Sequence, residues 1–509
     1  MASHTVAPFK DLPEDRGTEV QLGKMRLVLL RQGDQVFAYQ GLCPHAGAPL
    51  ADGAVCQGRL VCPWHKASFS VATGSLCEPP ALDDLRRYPA QVVNGQVEVD
   101  DQPLPRPISP PVMAESLFAI IGAGAAGVAA AAALRDNGFN GRLLLIDGQP
   151  QPSYDRTALS KFVLAGDMDP EDVPPLRTPE YFKQQRIEQI PARVNQLEPG
   201  SRRLILSDGQ IITYDRALLA TGGEPQPLPI PGGHLPEVLQ LRSRADAARV
   251  LELARPGARA VIIGDSFIGL ESASALREHG VEVTLLARHQ VPFVKQFGEA
   301  VGKALKQLHE DNGVAWRSGV EAASFAGEQH LQAVVLKSRE RIAADLVLLG
   351  VGVRPATAIL QGLALNEDGS LSVDGHMRAT PGLWAAGDIA RFPLAGRPQR
   401  IEHWRLAQQH GRAAALDMLD KGSPYADVPY FWTFHYGKRI DYLGHAVQWD
   451  QLVAKGNLQH FEFIELQCLE GAVTGVVACN FERAVAALAQ RMKQPLGVDE
   501  ALALVRKYG

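Results

Sequence analysis

Residues 118–127 constrain this chain more than any other stretch. An apolar strand, Phe118-Ala119-Ile120-Ile121, runs into Gly122-Ala123-Gly124-Ala125-Ala126-Gly127 and then into an alanine-rich helix. In such a unit Gly122 permits the tight turn, Gly124 lets backbone approach a pyrophosphate, and Gly127 lets helix pack closely on strand, with the helix N-terminus facing the phosphates. The surroundings strengthen the pattern. The helix ends near Asn137-Gly138, a second strand follows at Leu143-Leu144-Leu145-Ile146, and Asp147 stands twenty residues past Gly127, where a ribose-binding carboxylate belongs. The stretch reads as a dinucleotide site; the alternative is a buried Gly/Ala packing contact.

At 509 residues the chain has room for three or four domains. A net charge of −5 argues against a nucleic-acid surface, and no basic cluster points to an anionic membrane, so small molecules and proteins are the expected partners. Residues 1–17 carry Lys10, Asp11, Glu14, Asp15 and Arg16 with no apolar segment; they do not read as a secretory signal, and the cytoplasm is the expected compartment. Residues 116–134 are uncharged over about one membrane span, yet strand-turn-helix logic explains them as buried. Six cysteines in a chain this long are no disulfide framework, and four of them fall within the first eighty residues.

That first segment reads as β structure, with strands at 26–30 and 35–39 and a hairpin turn at Asn94-Gly95. Set into it are Cys43-Pro44-His45 and Cys62-Pro63-Trp64-His65, with sixteen residues between them. A C-x-H and a C-x-x-H loop offer two thiolates and two imidazoles. This is the set one 2Fe-2S cluster of mixed ligation requires, cysteines on one iron and histidines on the other. A tetrahedral zinc site with the same four ligands is the alternative. Residues 41–76, including Gly47, Ser68-Phe69 and Gly74, resemble a Rieske domain whose metal ligands would be Cys43, His45, Cys62 and His65. Rieske domains of respiratory complexes add a disulfide cysteine to each loop. Ala48 and Trp64 stand in those places here, so the resemblance is to the ferredoxin type, toward the lower end of the Rieske potential range. Cys56 and Cys77 read as core thiols. Between Gln102 and Ala114, Pro103, Pro105, Pro107, Pro110 and Pro111 make an extended, semi-rigid tether. Such a tether would hold the cluster domain near a second redox centre without fixing one orientation.

No cysteine occurs between Cys77 and Cys468, so the C-x4-C pair of disulfide-reducing flavoenzymes is missing. The strand-rich residues 203–215 lead into Ala217-Leu218-Leu219-Ala220-Thr221-Gly222-Gly223, and residues 381–390 return a matching segment around Gly387-Asp388. Between these lies a second βαβ unit, beginning Ala260-Val261-Ile262-Ile263-Gly264-Asp265-Ser266-Phe267-Ile268-Gly269-Leu270-Glu271. Ser266 replaces the middle glycine, and its hydroxyl can hydrogen-bond a phosphate. After Pro424 come the aromatic run 429–437, a hairpin around Glu470-Gly471 and a helix from Arg483; counting across that hairpin puts Cys468 and Cys479 too far apart to pair.

This order of segments resembles the flavoproteins with two dinucleotide-binding domains. Among them it is similar to the ferredoxin reductases of oxygenase systems and to the apoptosis-inducing-factor-like branch that carries an N-terminal Rieske domain. The resemblance implies an α/β fold: an all-β Rieske domain (1–101), a proline-rich linker (102–114), two Rossmann-like domains and an α+β C-terminal interface domain (423–509). The FAD-binding domain would come in two parts (115–235 and 351–422), with the NAD(P)-binding domain (236–350) inserted between them. FAD would then lie on Gly122, Gly124, Gly127 and Asp147, touched by Arg156 and Lys161, with Ala220, Thr221 and Gly222 beneath its phosphates. Asp388, after Gly387, would accept a hydrogen bond from the ribityl chain, and Trp404 would cover the ring. NADH or NADPH would fall to Gly264, Ser266 and Gly269, with Lys161 and Glu271 beside the reacting ring as the catalytic pair.

The strand end Leu285-Leu286-Ala287-Arg288-His289 bears on the choice of nicotinamide. Ala287 occupies the position where NAD sites carry a carboxylate, and Arg288 with His289 can pair a 2′-phosphate, so NADPH is expected to serve at least as well as NADH. The expected protein is a cytoplasmic NAD(P)H-dependent ferredoxin-type oxidoreductase, monomeric or homodimeric, that binds no nucleic acid and no membrane. It would pass electrons through FAD and the fused cluster to a protein acceptor such as an oxygenase component, ferredoxin or cytochrome. An NAD(P)H oxidase, or a redox-sensing protein with a regulatory Rieske domain, are the alternatives.

Overall fold

The computed structural model describes residues 3–149 and 151–509. The N-terminal part is all β. A four-stranded antiparallel sheet (Thr18–Leu22, Met25–Gln32, Gln35–Gln40, Arg87–Tyr88) and a three-stranded one (Ser3–Pro8, Gln96–Asp100, Ala90–Val93) enclose one core. Asn94 and Gly95 both take positive φ, 50° and 77°, as a two-residue turn matched to strand twist requires. A second small sheet (Ala54–Cys56, Arg59–Val61, Ser68–Ser70, Leu76–Glu78) carries the two Cys/His loops.

Two parallel sheets follow. In the first, Ile187–Ile190, Arg142–Ile146, Leu117–Ile121, Arg216–Leu219 and Leu383–Ala385 run parallel, with Arg378–Thr380 antiparallel at the edge. Helix Ala125–Asp136 leaves the central strand and is buried almost throughout, which accounts for the uncharged stretch around it. It crosses helix Trp404–Asp417 at Gly411, where a Cβ would stand 2.1 Å from the Ala126 carbonyl oxygen, so only glycine fits. The second sheet, inserted between strands of the first, is wholly parallel: Val238–Leu239, Leu346–Leu349, Arg259–Ile263, Glu282–Ala287, Ala315–Ser318. The chain ends in a five-stranded antiparallel sheet and helices Glu482–Arg491 and Val498–Tyr508. There Cys468 faces Val473 while Cys479 faces Phe463, and both thiols are free.

The Rieske-like part is packed against the rest of the chain. The linker is exposed, Ile108 to 93%, but the domain beyond it is seated in one orientation by buried polar contacts. Lys66 Nζ, wholly buried, reaches Asp441 of the C-terminal sheet at 2.9 Å. Asp441 also accepts from Arg439 and from the Tyr430 hydroxyl, each at 2.9 Å, and Tyr430 Oη lies 3.0 Å from the Trp64 carbonyl oxygen. A second cluster centres on Glu78, which meets Arg405 at 2.9 Å, Gln409 at 3.1 Å and Lys493. Arg405 donates as well to the carbonyl oxygens of Lys66 and Pro79, both at 2.9 Å. Proline content describes the tether; the orientation is decided by side chains more than 300 residues away in sequence. Because Asp441 keeps Arg439 and Tyr430, Lys66→Met removes one charged contact without stranding a charge and should cost about 1.5–3 kcal/mol. Urea denaturation of the holoprotein should show that loss, whereas Glu19→Ala, which breaks the exposed Arg26–Glu19 pair, should leave the midpoint in place.

Candidate functional site

The two Cys/His loops are built alike. Cys43 and Cys62 each donate their amide to the residue five positions on, Ala48 and Ala67, at 2.8 Å, and each carbonyl accepts from the residue four positions on, Gly47 and Lys66. That fourth position is left-handed in both, φ 74° at Gly47 and 59° at Lys66. Glycine adopts this freely, and lysine at a strain of order 1–3 kcal/mol that surrounding structure must hold. The bond to Asp441 supplies that hold.

The loops bring their ligands together in pairs. Cys43 and Cys62 are buried and hydrogen-bonded to each other, which raises the Cys43 thiol well above its ordinary range and lowers Cys62 to about 7. His45 and His65 turn their Nδ1 atoms to face each other at 3.1 Å, and burial holds both imidazoles neutral, the form that ligates metal. Among the described residues no three such ligands converge on one point. A single zinc would want four around one centre, whereas two thiols on one side and two imidazoles on the other fit a cluster of two irons.

One face of this pair is a wall of a large cavity of about 1190 Å³, above the ~300–1,000 Å³ of ordinary single-ligand sites. Gly122, Gly124, Asp147, Arg156, Lys161, Ala220, Thr221, Gly222, Ser266, Glu271, Gly387, Asp388 and Trp404 line it, as do His45 and His65. Gly127 does not; it serves the turn, since a Cβ there would sit 1.9 Å from the Gly122 carbonyl oxygen. Gly122 has φ 103° and its Cβ would meet the Ala220 carbonyl at 2.4 Å, while a Cβ on Gly124 would point into open space, where a phosphate can approach. Trp404 lines this cavity, and its indole N–H is buried without a partner. Asp388, raised by burial against the cations Arg242, Arg400 and Arg156, faces the same space. These features fit a flavin dinucleotide.

Lys161 sits in a π-helical turn, Leu159–Val163, the widened geometry that recurs at functional sites. Its Nζ lies 2.9 Å from Glu271 Oε2 on helix Phe267–Glu278, with the two side chains 6% and 4% exposed. Ser160 Oγ donates to the same oxygen at 2.5 Å and Thr433 Oγ1 to Glu271 Oε1 at 2.7 Å, so residues from two other parts of the chain fix one carboxylate. Lys161 Nζ stands 4.8 Å over the ring of Trp432, and that ring is 5.3 Å from the ring of His65. Sequence reasoning missed Trp432, Thr433, Ser160 and Asp155, the last 4.0 Å from His45 Nε2. The aromatic run 429–437 was the one visible signal.

The second glycine loop is modified as its sequence suggests. Gly264 is left-handed at φ 113° and Gly269 packs on its carbonyl oxygen. Ser266 caps the helix, Oγ accepting from the Gly269 amide at 3.2 Å. Arg288 and His289 are exposed at the end of the second strand, but His289 is not free: its backbone and ring nitrogens both lie on Asp265 Oδ2, at 3.1 and 2.9 Å. Asp265 is a carboxylate at this corner that strand-end reasoning did not count.

Comparison with known proteins agrees with this arrangement. Residues 117–411 match the pyridine nucleotide-disulphide oxidoreductase family and residues 2–89 the Rieske 2Fe-2S domain. Apoptosis-inducing factor 3 of Mus musculus is 35% identical over 507 residues, 96% of this chain and 83% of that protein. The biphenyl dioxygenase system ferredoxin–NAD(+) reductase component of Paraburkholderia xenovorans is 34% identical over 369 residues, 72% of this chain and 90% of its own length. The solved covalent putidaredoxin reductase–putidaredoxin complex superposes with a TM-score of 0.73 at 29% identity, covering 78% of this chain and 98% of that one. The chain belongs to the pyridine nucleotide-disulphide oxidoreductase family, in a form that carries an N-terminal Rieske domain. It is an oxidoreductase whose cofactors are FAD, a Rieske-type 2Fe-2S cluster and NAD(P)H.

If Lys161 supplies a cation beside the flavin, Lys161→Met should slow flavin reduction about tenfold or more while FAD stays bound. Anaerobic stopped flow at the flavin band reads this directly; an unchanged rate would leave Lys161 as Glu271's structural partner.

Proposed function

We propose that this chain takes electrons from NAD(P)H and delivers them singly, through its own Rieske domain, to a protein acceptor such as an oxygenase component, a ferredoxin or a cytochrome. The flavin, when bound, accepts a hydride and gives up electrons one at a time, which lets a two-electron donor meet a one-electron cluster. The single observation that carries this reading is the shared cavity, into which the Rieske histidines and the Lys161–Glu271 pair both face, with Trp432 between them. A cluster placed only for regulation would need no such contact.

In this reading the residues divide the work. Gly122 and Gly124, with the helix that Gly127 lets pack behind them, take the FAD pyrophosphate, and Asp147 takes the ribose. Arg156, Ala220, Thr221, Gly222, Gly387 and Asp388 hold the rest of the cofactor, and Trp404, on the cavity wall, covers the ring. Lys161 stabilises negative charge developing beside it, and Glu271, fixed by Ser160 and Thr433, holds Lys161 in place from the nicotinamide domain. Gly264, Ser266 and Gly269 receive the nicotinamide dinucleotide. Arg288 and His289 receive a 2′-phosphate where one is present, opposed by the Asp265 carboxylate.

Two measurements test this. Cys62→Ser should remove the cluster bands and lower cytochrome reduction about tenfold or more, yet leave NAD(P)H able to bleach the flavin; cytochrome reduction at the wild-type rate without the cluster would sink the route. In steady state kcat/KM for NADPH should equal or exceed that for NADH, Asp265→Ala should widen the gap, and Ala287→Glu with Arg288→Ala should reverse it. A wild-type preference for NADH of about tenfold, ~1.4 kcal/mol, would show that Arg288 does not reach the ribose.

A further inference from the structure

The flavin cavity is not closed by the flavin domain alone. Besides the loops at His45 and His65, a third Rieske segment, residues 79–85, enters its wall, with Pro80, Leu82 and Asp83 on the cavity surface. Asp83 is gripped by Arg177 through two contacts, 2.5 and 3.0 Å, and the same guanidinium donates to the Leu82 carbonyl oxygen at 2.6 Å. Leu82 packs into the core that includes Ala123, Ala125 and Ala126, the start of the dinucleotide helix. Behind the segment, Arg405 holds the Pro79 carbonyl oxygen and Glu78, so its root is anchored in the flavin domain's own helix. From His45 beside Asp155 to Asp83 on Arg177, the Rieske domain lies across the cavity.

A domain that only needed to bring a cluster close would require the histidine loops. Residues 79–85 lie apart from the ligands and reach instead toward the turn where a pyrophosphate binds. We infer that this segment is part of the flavin site: it closes the cavity over the cofactor, keeping FAD in and dioxygen out. The inference rests on FAD occupying the cavity as proposed above. Dioxygen that reached the reduced cofactor would take two electrons and two protons from it and leave as hydrogen peroxide, restoring oxidised flavin. Electrons lost that way never reach the cluster, so a wall made by the cluster's own domain links flavin retention to the one-electron route.

The test begins with the wild-type protein, by hydrogen–deuterium exchange on the deflavo form with and without added FAD. Amides of residues 81–85 should exchange at least severalfold more slowly once FAD is bound, together with those of 122–127 and 386–388. Protection at 122–127 and 386–388 with none at 81–85 overturns the wall. No protection at any of the three overturns the underlying assignment of FAD to this cavity. Asp83→Ala and Leu82→Gly should then release FAD about tenfold faster on dilution, read as free-flavin fluorescence. They should also raise peroxide formed per NAD(P)H consumed, with cluster absorbance retained. Dissociation and peroxide yields within twofold of wild type in both variants would overturn the proposal.

Discussion

The seating of the Rieske domain on the rest of the chain depends on a buried lysine. Lys66 occupies the position that Gly47 fills in the sister loop, in a backbone conformation lysine rarely adopts, and its ammonium is sealed against Asp441 375 residues further on. Burial alone would lower the Lys66 pKa; Asp441 is the group that opposes this. Such a pair is poor evidence for stability, because desolvating two charges offsets most of their attraction. What it supplies is register. With Lys66 on Asp441, and Asp441 on Arg439 and Tyr430, the His65 loop can meet the C-terminal sheet in one way only, which fixes Trp432 against the His65 ring.

From that fixed contact the geometry of the site follows in both directions. Trp432 carries two cations on its faces, Lys161 at 4.8 Å and Arg439 at 5.0 Å, so one indole is shared by the network that docks the Rieske domain and by the Lys161–Glu271 pair. Thr433, the next residue, fixes Glu271 from the second dinucleotide domain. The strand Tyr430–His435 is therefore the place where three domains agree on one geometry. Tyr430 and Thr433 are buried with partners from other parts of the chain, Trp64 and Glu271, while His435 pairs with Thr433 of its own strand.

How much of this the sequence disclosed depends on the range of the interaction. The glycine turns and the paired Cys/His loops are legible because turn conformation and ligand spacing act within about twenty residues: Gly122 and Gly264 take φ of 103° and 113° within their own turns, although the carbonyls that crowd them, of Ala220 and Gly350, come from distant segments. The Lys161–Glu271 pair spans 110 residues and reaches the page only through family resemblance. Lys66–Asp441, Glu78–Arg405 and Asp83–Arg177 join charges of ordinary abundance across still longer or equally silent separations, and no periodicity marks them. The proline-rich linker misleads for the same reason. Its composition reports the stiffness of residues 102–114 and carries no information about the surfaces it connects.

The nicotinamide corner shows a local motif being amended by its neighbour. Read along the strand, Ala287-Arg288-His289 removes an anion and offers a guanidinium and an imidazole to a 2′-phosphate. In space, Asp265 on the preceding turn returns an anion to the same corner and engages the His289 ring at 2.9 Å, while Arg288 remains exposed beyond it. A phosphate arriving there gains Arg288 but must compete with Asp265 for His289, whereas a bare ribose meets a carboxylate able to accept from its hydroxyls. The balance is therefore set by the relative strength of one guanidinium–phosphate contact and one carboxylate already paired. Since charge-assisted contacts at exposed sites weaken with ionic strength, the preference between the two nicotinamides should be salt-dependent in a way that a site with a simple strand-end glutamate would not show.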